Sequence, residues 1–188
     1  MPRPAWLSRA NALTMARAAS APLLVLAILR DAPLVAAGLF ALAVVTDLAD
    51  GRVARRYGEA TRLGALLDHA TDALFVSAGL GALAHQGVVP GALPWLVAAA
   101  FGQYVLDSRS ARRRPLGDGP LRASRLGRWN GIAYFVLLGI PVVRDALGLG
   151  WPPGWVVQVL GWLLVASTLV SMTDRALAWR RHRRQSSG

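Results

Sequence analysis

The sequence predicts an all-α integral membrane protein of six transmembrane helices, preceded by a short interfacial helix at the N-terminus. Three observations carry that fold class. The 188-residue chain is 54% hydrophobic with only 16% charged residues and a mean hydropathy of +0.40, more apolar and less charged than a soluble domain of its size. Apolar windows of roughly membrane-spanning length recur along it. Its basic residues alternate between the gaps that separate those windows: one set of gaps is rich in arginine and the other nearly lacks it.

Trp6 to Asn11 form a short amphipathic stretch that suits headgroup depth, with Trp6 as interfacial anchor. The first apolar window covers residues 12–29 and gives way at Arg30, Asp31 and Pro33. The second covers 34–50 and ends in acids and then Arg52, Arg55, Arg56 and Arg62. The third covers 64–84, again with acids, and stops at His85, Gln86, Gly87 and Pro90, which are turn-forming. Windows at 91–107, 130–147 and 153–173 follow, the last two separated by Gly148 to Gly154 with Pro152 and Pro153. Residues 180–188 are basic and then polar and read as a disordered cytoplasmic tail. No internal repeat or second domain is evident, so residues 1–188 form a single membrane domain, with 1–11 as its interfacial N-terminus.

Arg3 and Arg9, the Arg52–Arg62 group, the group from Arg109 through Arg128, and the group from Arg175 to Arg184 all fall on one side of this arrangement. Of the loop arginines only Arg30 and Arg144 fall on the other. Positive charge marks cytoplasmic loops, so both termini face the cytoplasm and the span count is even. The net charge of +11 then belongs to anionic headgroups, and no nucleic-acid-binding module accompanies it. All 21 basic residues other than histidine are arginine, a bias that genome composition also produces, and there is no cysteine for a disulfide, a thiol nucleophile or a thiolate metal site.

Four aspartates form the chemical constellation. Asp47 and Asp50 lie three apart at the end of the second window, and Asp68 and Asp72 lie four apart near the start of the third. Both spacings return to one helix face. Two adjacent antiparallel helices would bring the pairs to the same cytoplasmic depth. Four facing carboxylates repel unless a cation neutralises them. All-oxygen ligation suits Mg²⁺ or Mn²⁺, and a magnesium site with few carboxylates calls for a phosphate-bearing substrate. The alternative is structural pairing of these acids with nearby arginines. Gly51 leaves the backbone open to a nucleotide, Ala54 keeps that face small, and Arg55, one turn on, reaches a pyrophosphate. Gly64 opens the third helix without a side chain. Each also has a plainer reading: Gly51 as a helix end, Gly64 as a turn, Arg55 as loop charge.

The stretch Asp47-x2-Asp50-Gly51-x2-Ala54-Arg55-x8-Gly64-x3-Asp68-x3-Asp72 resembles the signature of the CDP-alcohol phosphotransferases, with every defined position filled. Asn11-Ala-Leu13-Thr14-Met-Ala-Arg17, followed by Pro22, is similar to the N-terminal segment of that family. The resemblance implies that Asp47, Asp50 and Asp68 bind metal, two ions of Mg²⁺ or Mn²⁺. Asp72 would contribute to the same metal site and act as the general base toward the acceptor hydroxyl. It implies a nucleotide pocket lined by Asp47, Gly51, Ala54, Arg55 and Gly64, and a donor of the CDP-diacylglycerol type whose acyl chains stay in the bilayer. It also implies a small alcohol acceptor, CMP as product, a cytoplasm-facing site in the inner cell membrane, and a homodimer.

Arg109, Arg125, Arg128 and Arg175 sit at the cytoplasmic ends of the later windows, where the family's phosphorylated acceptors meet basic residues, and they also fit plain loop charge. Ser171-Met-Thr-Asp-Arg175 resembles the corresponding helix end of phosphatidylinositol-phosphate synthases, and Ser124 to Asn130 resembles a segment of phosphatidylglycerophosphate and cardiolipin synthases. A phosphorylated acceptor, glycerol 3-phosphate or inositol phosphate, is favoured. The chain departs from the phosphatidylglycerophosphate pattern D-P-x-A-D-K in reading Asp68-His69-Ala-Thr-Asp72-Ala73. His69 in that place either meets acceptor or faces headgroups.

Two other functions use the same acids. A metal-dependent membrane phosphohydrolase would attack with water, but does not call for the Gly51, Ala54 and Arg55 context. A cation transporter would place its acids near the membrane midplane, whereas these cluster at one end.

Overall fold

The computed structural model of the chain describes residues 9–56, 62–111 and 125–185. Among them are six α-helices and no strand: α1 (Arg9–Leu29), α2 (Pro33–Arg56), α3 (Arg62–His85), α4 (Leu93–Ala111), α5 (Arg125–Ala146) and α6 (Gly154–Gln185). Their order and number match the six apolar windows. Leu126–Ala146 and Gly154–Leu177 are long and apolar enough to cross a membrane, while Thr14–Leu29, Pro33–Ala49 and Leu93–Leu106 are shorter apolar helices.

The arginine-poor ends fall where the turn residues put them. Here α1, α3 and α5 stop in the same way. Ala32 N–H donates to Ala27 O and Asp31 N–H to Ile28 O; Val88 and Gly87 repeat the pair on Leu83 and Ala84, and Leu149 and Gly148 on Arg144 and Asp145. This double bond pattern satisfies the last carbonyls when one residue turns left-handed. Gly87 (φ 75°) and Gly148 (φ 62°) fill that position without strain, and Asp31 (φ 50°) does so as a polar residue that tolerates it. Cross-links tie this end together: Gln86 Nε2 donates to Ile28 O at 2.8 Å, Gln158 Nε2 to Gly87 O at 2.6 Å, and Arg144 Nη1 to Pro152 O at 3.1 Å.

At the arginine-rich end the helices outrun the apolar windows. α2 continues past Asp50 to Arg56, so Gly51 does not end a helix. α6 continues to Gln185, so the tail expected to be disordered from residue 180 is helical up to that point. Alanine, leucine and arginine are good helix formers, and cationic residues near a C-terminus complement the helix dipole, so neither stretch needs apolar character to stay helical. The expected interfacial helix falls partly on residues 1–8, outside the described residues; Arg9 to Asn11 already belong to α1.

The core gathers Leu24 from α1, Ala43 from α2, Phe75 and Leu80 from α3, Leu93 from α4, Leu138 from α5 and Val157 from α6, all below 1% exposure. Glycine permits the closest approaches. A Cβ on Gly79 would stand 2.8 Å from Leu138 Cδ1 and 3.1 Å from Leu24 Cδ2, and one on Gly139 would stand 2.7 Å from Phe40 Cζ. One helix pairing differs from expectation. The main packing partner of both α2 and α3 is α1, and α2 packs instead on α5. The two acid-bearing helices are therefore not a tight hairpin; α1 lies between them.

Candidate active site

Helical spacing turns Asp68 and Asp72 to one face of α3, and the fold brings Asp47 of α2 to meet them. One carboxylate oxygen from each lies within 4.8 Å of the others. They meet across α1 rather than directly, and the residue of α1 at that level is Arg17. Its guanidinium Nη1 stands 3.0 Å from Asp68 Oδ1 and 3.4 Å from Asp47 Oδ1, and it also donates to Asp72 Oδ1. Among the described residues Arg17 is the one charged side chain that is buried, at 1% exposure. The acids are half-open: the side chains of Asp68 and Asp72 are each 27% exposed and that of Asp47 is 41% exposed. The cluster thus has a closed floor with a fixed cation and an open top.

This donor set fits a divalent metal. The ligand atoms are carboxylate oxygens converging from two helices, while Arg17 already neutralises part of their charge, which is the arginine pairing that the sequence left open as the alternative. The side chains and surroundings of Asp50, Gly51, Ala54, Arg55, Arg109 and Arg125 lie outside the described residues, although each position is on a helix: the first four in the last turns of α2, Arg109 in α4, and Arg125 at the start of α5. Gly64 lies partly buried in the first turn of α3, which makes it helical rather than a turn.

Beside the acids opens a cavity of about 730 Å³. Asp47, His69 and Asp72 line one side, and Gly127, Arg128 and Arg175 line the side contributed by α5 and α6. Two of the four candidate arginines therefore share a cavity with Asp72. Arg175 reaches it because Gly127 has no side chain: a Cβ there would stand 2.5 Å from Arg175 Nη2. Between these polar walls the lining is apolar, with Val44, Val76, Val97, Phe101, Phe135 and Met172. His69 belongs to the wall, stacked on Tyr104 of α4 with ring centroids 5.4 Å apart, rather than standing apart from the site.

Hydrogen bonds hold the far wall. Tyr134 OH donates to Thr168 Oγ1 at 2.7 Å, whose own hydroxyl donates to Leu164 O. Ser167 Oγ donates to Asn130 Oδ1 at 2.7 Å, and Gln103 Nε2 to Met172 O at 3.1 Å. These bonds fix α4, α5 and α6 around the cavity. Sequence reading assigned no role to Arg17, Tyr104 or Gln103. Arg17 did leave a signal, as a charged residue inside an apolar window, where ionisable groups are costly and commonly functional. Tyr104 and Gln103 left none, because nothing in α4 marks which face meets α3 and α6.

The family model for CDP-alcohol phosphatidyltransferase matches residues 7–172 of the chain. The chain is 32% identical over 177 residues to a probable phosphatidylglycerophosphate synthase of Mycobacterium tuberculosis, an alignment spanning 89% of this chain and 81% of the relative. It is 30% identical over 158 residues to a CMP-forming cardiolipin synthase of Streptomyces coelicolor, covering 81% and 71% of the two chains. With a CDP-diacylglycerol–glycerol-3-phosphate 3-phosphatidyltransferase of Arabidopsis thaliana it shares 28% identity over 159 residues, covering 77% and 54%.

Proposed function

The chain belongs to the CDP-alcohol phosphatidyltransferase family, and on that premise we propose that it transfers a phosphatidyl group from CDP-diacylglycerol to glycerol 3-phosphate, releasing CMP. Membership makes it a membrane-associated transferase of phospholipid biosynthesis. The observation that carries the finer reading is the shared cavity, which Asp72, Arg128 and Arg175 all line. A phosphorylated alcohol fits that layout, its hydroxyl at the acid and its phosphate at the arginines, since guanidinium pairs bind phosphate through charge-assisted hydrogen bonds. The named relatives point the same way.

The reaction assigns each group a task. The acceptor hydroxyl gives its proton to Asp72 as its oxygen bonds the phosphatidyl phosphorus, and the bond from that phosphorus to the oxygen of CMP breaks. Asp47, Asp50, Asp68 and Asp72 would hold Mg²⁺ or Mn²⁺, which when bound stabilises charge on the pyrophosphate and the departing CMP. By the family resemblance Gly51, Ala54, Arg55 and Gly64, with Asp47, are assigned to the nucleotide pocket, and Arg109 and Arg125 remain acceptor-binding candidates.

All six helices cross the membrane in this reading, with both termini and the site at the cytoplasmic side. Arginine asymmetry supports it, as do exposed tryptophans near helix ends, Trp95, Trp151 and Trp155 at one end and Trp129 at the other, with Trp162 exposed between the two levels. The chain acts as a homodimer, which light scattering in detergent would check.

A second reading has its own support. The apolar lining between the polar walls suits a lipid acceptor, and a CMP-forming cardiolipin synthase is among the relatives; phosphatidylglycerol would then be the acceptor. Purified protein with CDP-diacylglycerol and Mg²⁺ or Mn²⁺ distinguishes these. CMP release that requires glycerol 3-phosphate, depends on metal and falls by about 10²-fold or more in Asp72→Asn is the expected result. Release that requires phosphatidylglycerol selects the second reading, and release without any acceptor identifies a hydrolase.

A further inference from the structure

We propose that Arg17 is a positioning residue: a built-in counter-ion that holds Asp47, Asp68 and Asp72 together before metal enters and moderates how tightly the site then grips metal. The inference rests on the metal-centre reading of the acidic cluster.

Three carboxylates whose oxygens lie within 4.8 Å of one another repel, and the repulsion grows as water is excluded. Exposed acids would relax by turning outward. These do not, and the structure shows why: a single nitrogen, Arg17 Nη1, reaches one oxygen of each acid. Arg17 cannot drift away, because its side chain is fully buried (0% exposed). α1 packs on both acid-bearing helices, so the guanidinium is wedged at their junction. A guanidinium suits this task better than an ammonium, since it stays charged when buried and presents several donors in a fixed plane.

The same cation has a second consequence. It lies on the closed side of the cluster, away from the cavity that Asp47 and Asp72 line, while all three acids are partly exposed. Metal entering from the cavity meets ligands already assembled, but also a fixed positive charge behind them, and a nearby like charge weakens cation binding. A bare cluster would bind metal more tightly and would be far less stable without it. Arg17 therefore exchanges metal affinity for a site that remains formed between turnovers.

The test uses the full-length protein in detergent, without lipid substrate, and follows Mn²⁺ binding by the loss of the free-ion EPR signal alongside thermal unfolding. In Arg17→Gln the metal-free protein should unfold at a lower temperature, and half-saturation should occur at Mn²⁺ concentrations lower by on the order of tenfold. Arg17→Lys should stay close to wild type in affinity. The double variant Arg17→Gln with Asp72→Asn, whose net charge equals that of the wild type, should recover metal-free stability, and this holds as the expected result even if Arg17→Gln alone does not fold. Unchanged or weaker Mn²⁺ binding in Arg17→Gln, or a double variant no more stable than Arg17→Gln, would overturn the counter-ion role. Failure of the wild type itself to bind Mn²⁺ would instead overturn the metal-centre reading beneath it.

Discussion

Substitution of Gly127 tests whether Arg175 is held at the acceptor side of the cavity by shape alone. A Cβ at position 127 would stand 2.5 Å from Arg175 Nη2, 3.4 Å from Arg175 Cζ and 3.4 Å from Ser171 Oγ. Non-bonded carbon and nitrogen atoms settle at about 3.5 Å, so in Gly127→Ala the guanidinium must move by about 1 Å. The moving atoms are the far end of a flexible side chain, so the fold is not threatened. Alanine in fact favours a helix over glycine by about 1 kcal/mol, and the unfolding temperature should hold or rise slightly. The chemistry should suffer. Misplacing a substrate-binding group by about 1 Å costs up to about 10²-fold, and loss of one charge-assisted hydrogen bond costs about 1.5–3 kcal/mol, which is roughly 10- to 150-fold. We therefore expect kcat/KM for glycerol 3-phosphate to fall by about 10- to 100-fold, mainly through KM, with KM for CDP-diacylglycerol nearly unchanged. Steady-state CMP release with each substrate varied in turn would measure it. An unchanged acceptor KM in a stably folded Gly127→Ala would refute the placement of Arg175 at the acceptor.

Two other positions probe the scaffold. Gly79→Val drives a branched side chain into Leu138 and Leu24, both fully buried. Overpacking of this kind costs about 1–3 kcal/mol, read as a lower unfolding temperature in detergent, with Gly79→Ala intermediate. Gly87→Ala meets no neighbour within 4 Å but must adopt φ near +75°. It should lose about 1–2 kcal/mol from backbone strain alone, and a variant as stable as wild type would show that the cap of α3 does not need the left-handed turn.

Much of the fold was legible because hydropathy and turn chemistry are local. Asp31, Gly87 and Gly148 mark helix ends through the backbone conformation each must adopt, and the apolar windows lie within the helices nearly throughout. The opposite ends were less legible. Past Asp50 and past residue 173 the chain turns polar while remaining helical, and a hydropathy window reads polarity rather than backbone state.

Four aspartates at three- and four-residue spacings, with the small residues and Arg55 between them, were enough to mark a candidate oxygen-rich metal site and to identify the family. Periodicity assigns residues to faces of one helix, and those assignments need no knowledge of other helices. It does not say which helix lies against which. That depends on how side chains far apart in sequence fill space together, and here it set α1 between α2 and α3, put Arg17 under the acids, and closed the cavity with Tyr104, Arg128 and Arg175 from three later helices. In sequence Arg17 is one residue of a segment similar to the family's N-terminus; only its packing against two other helices gives it three carboxylates to neutralise.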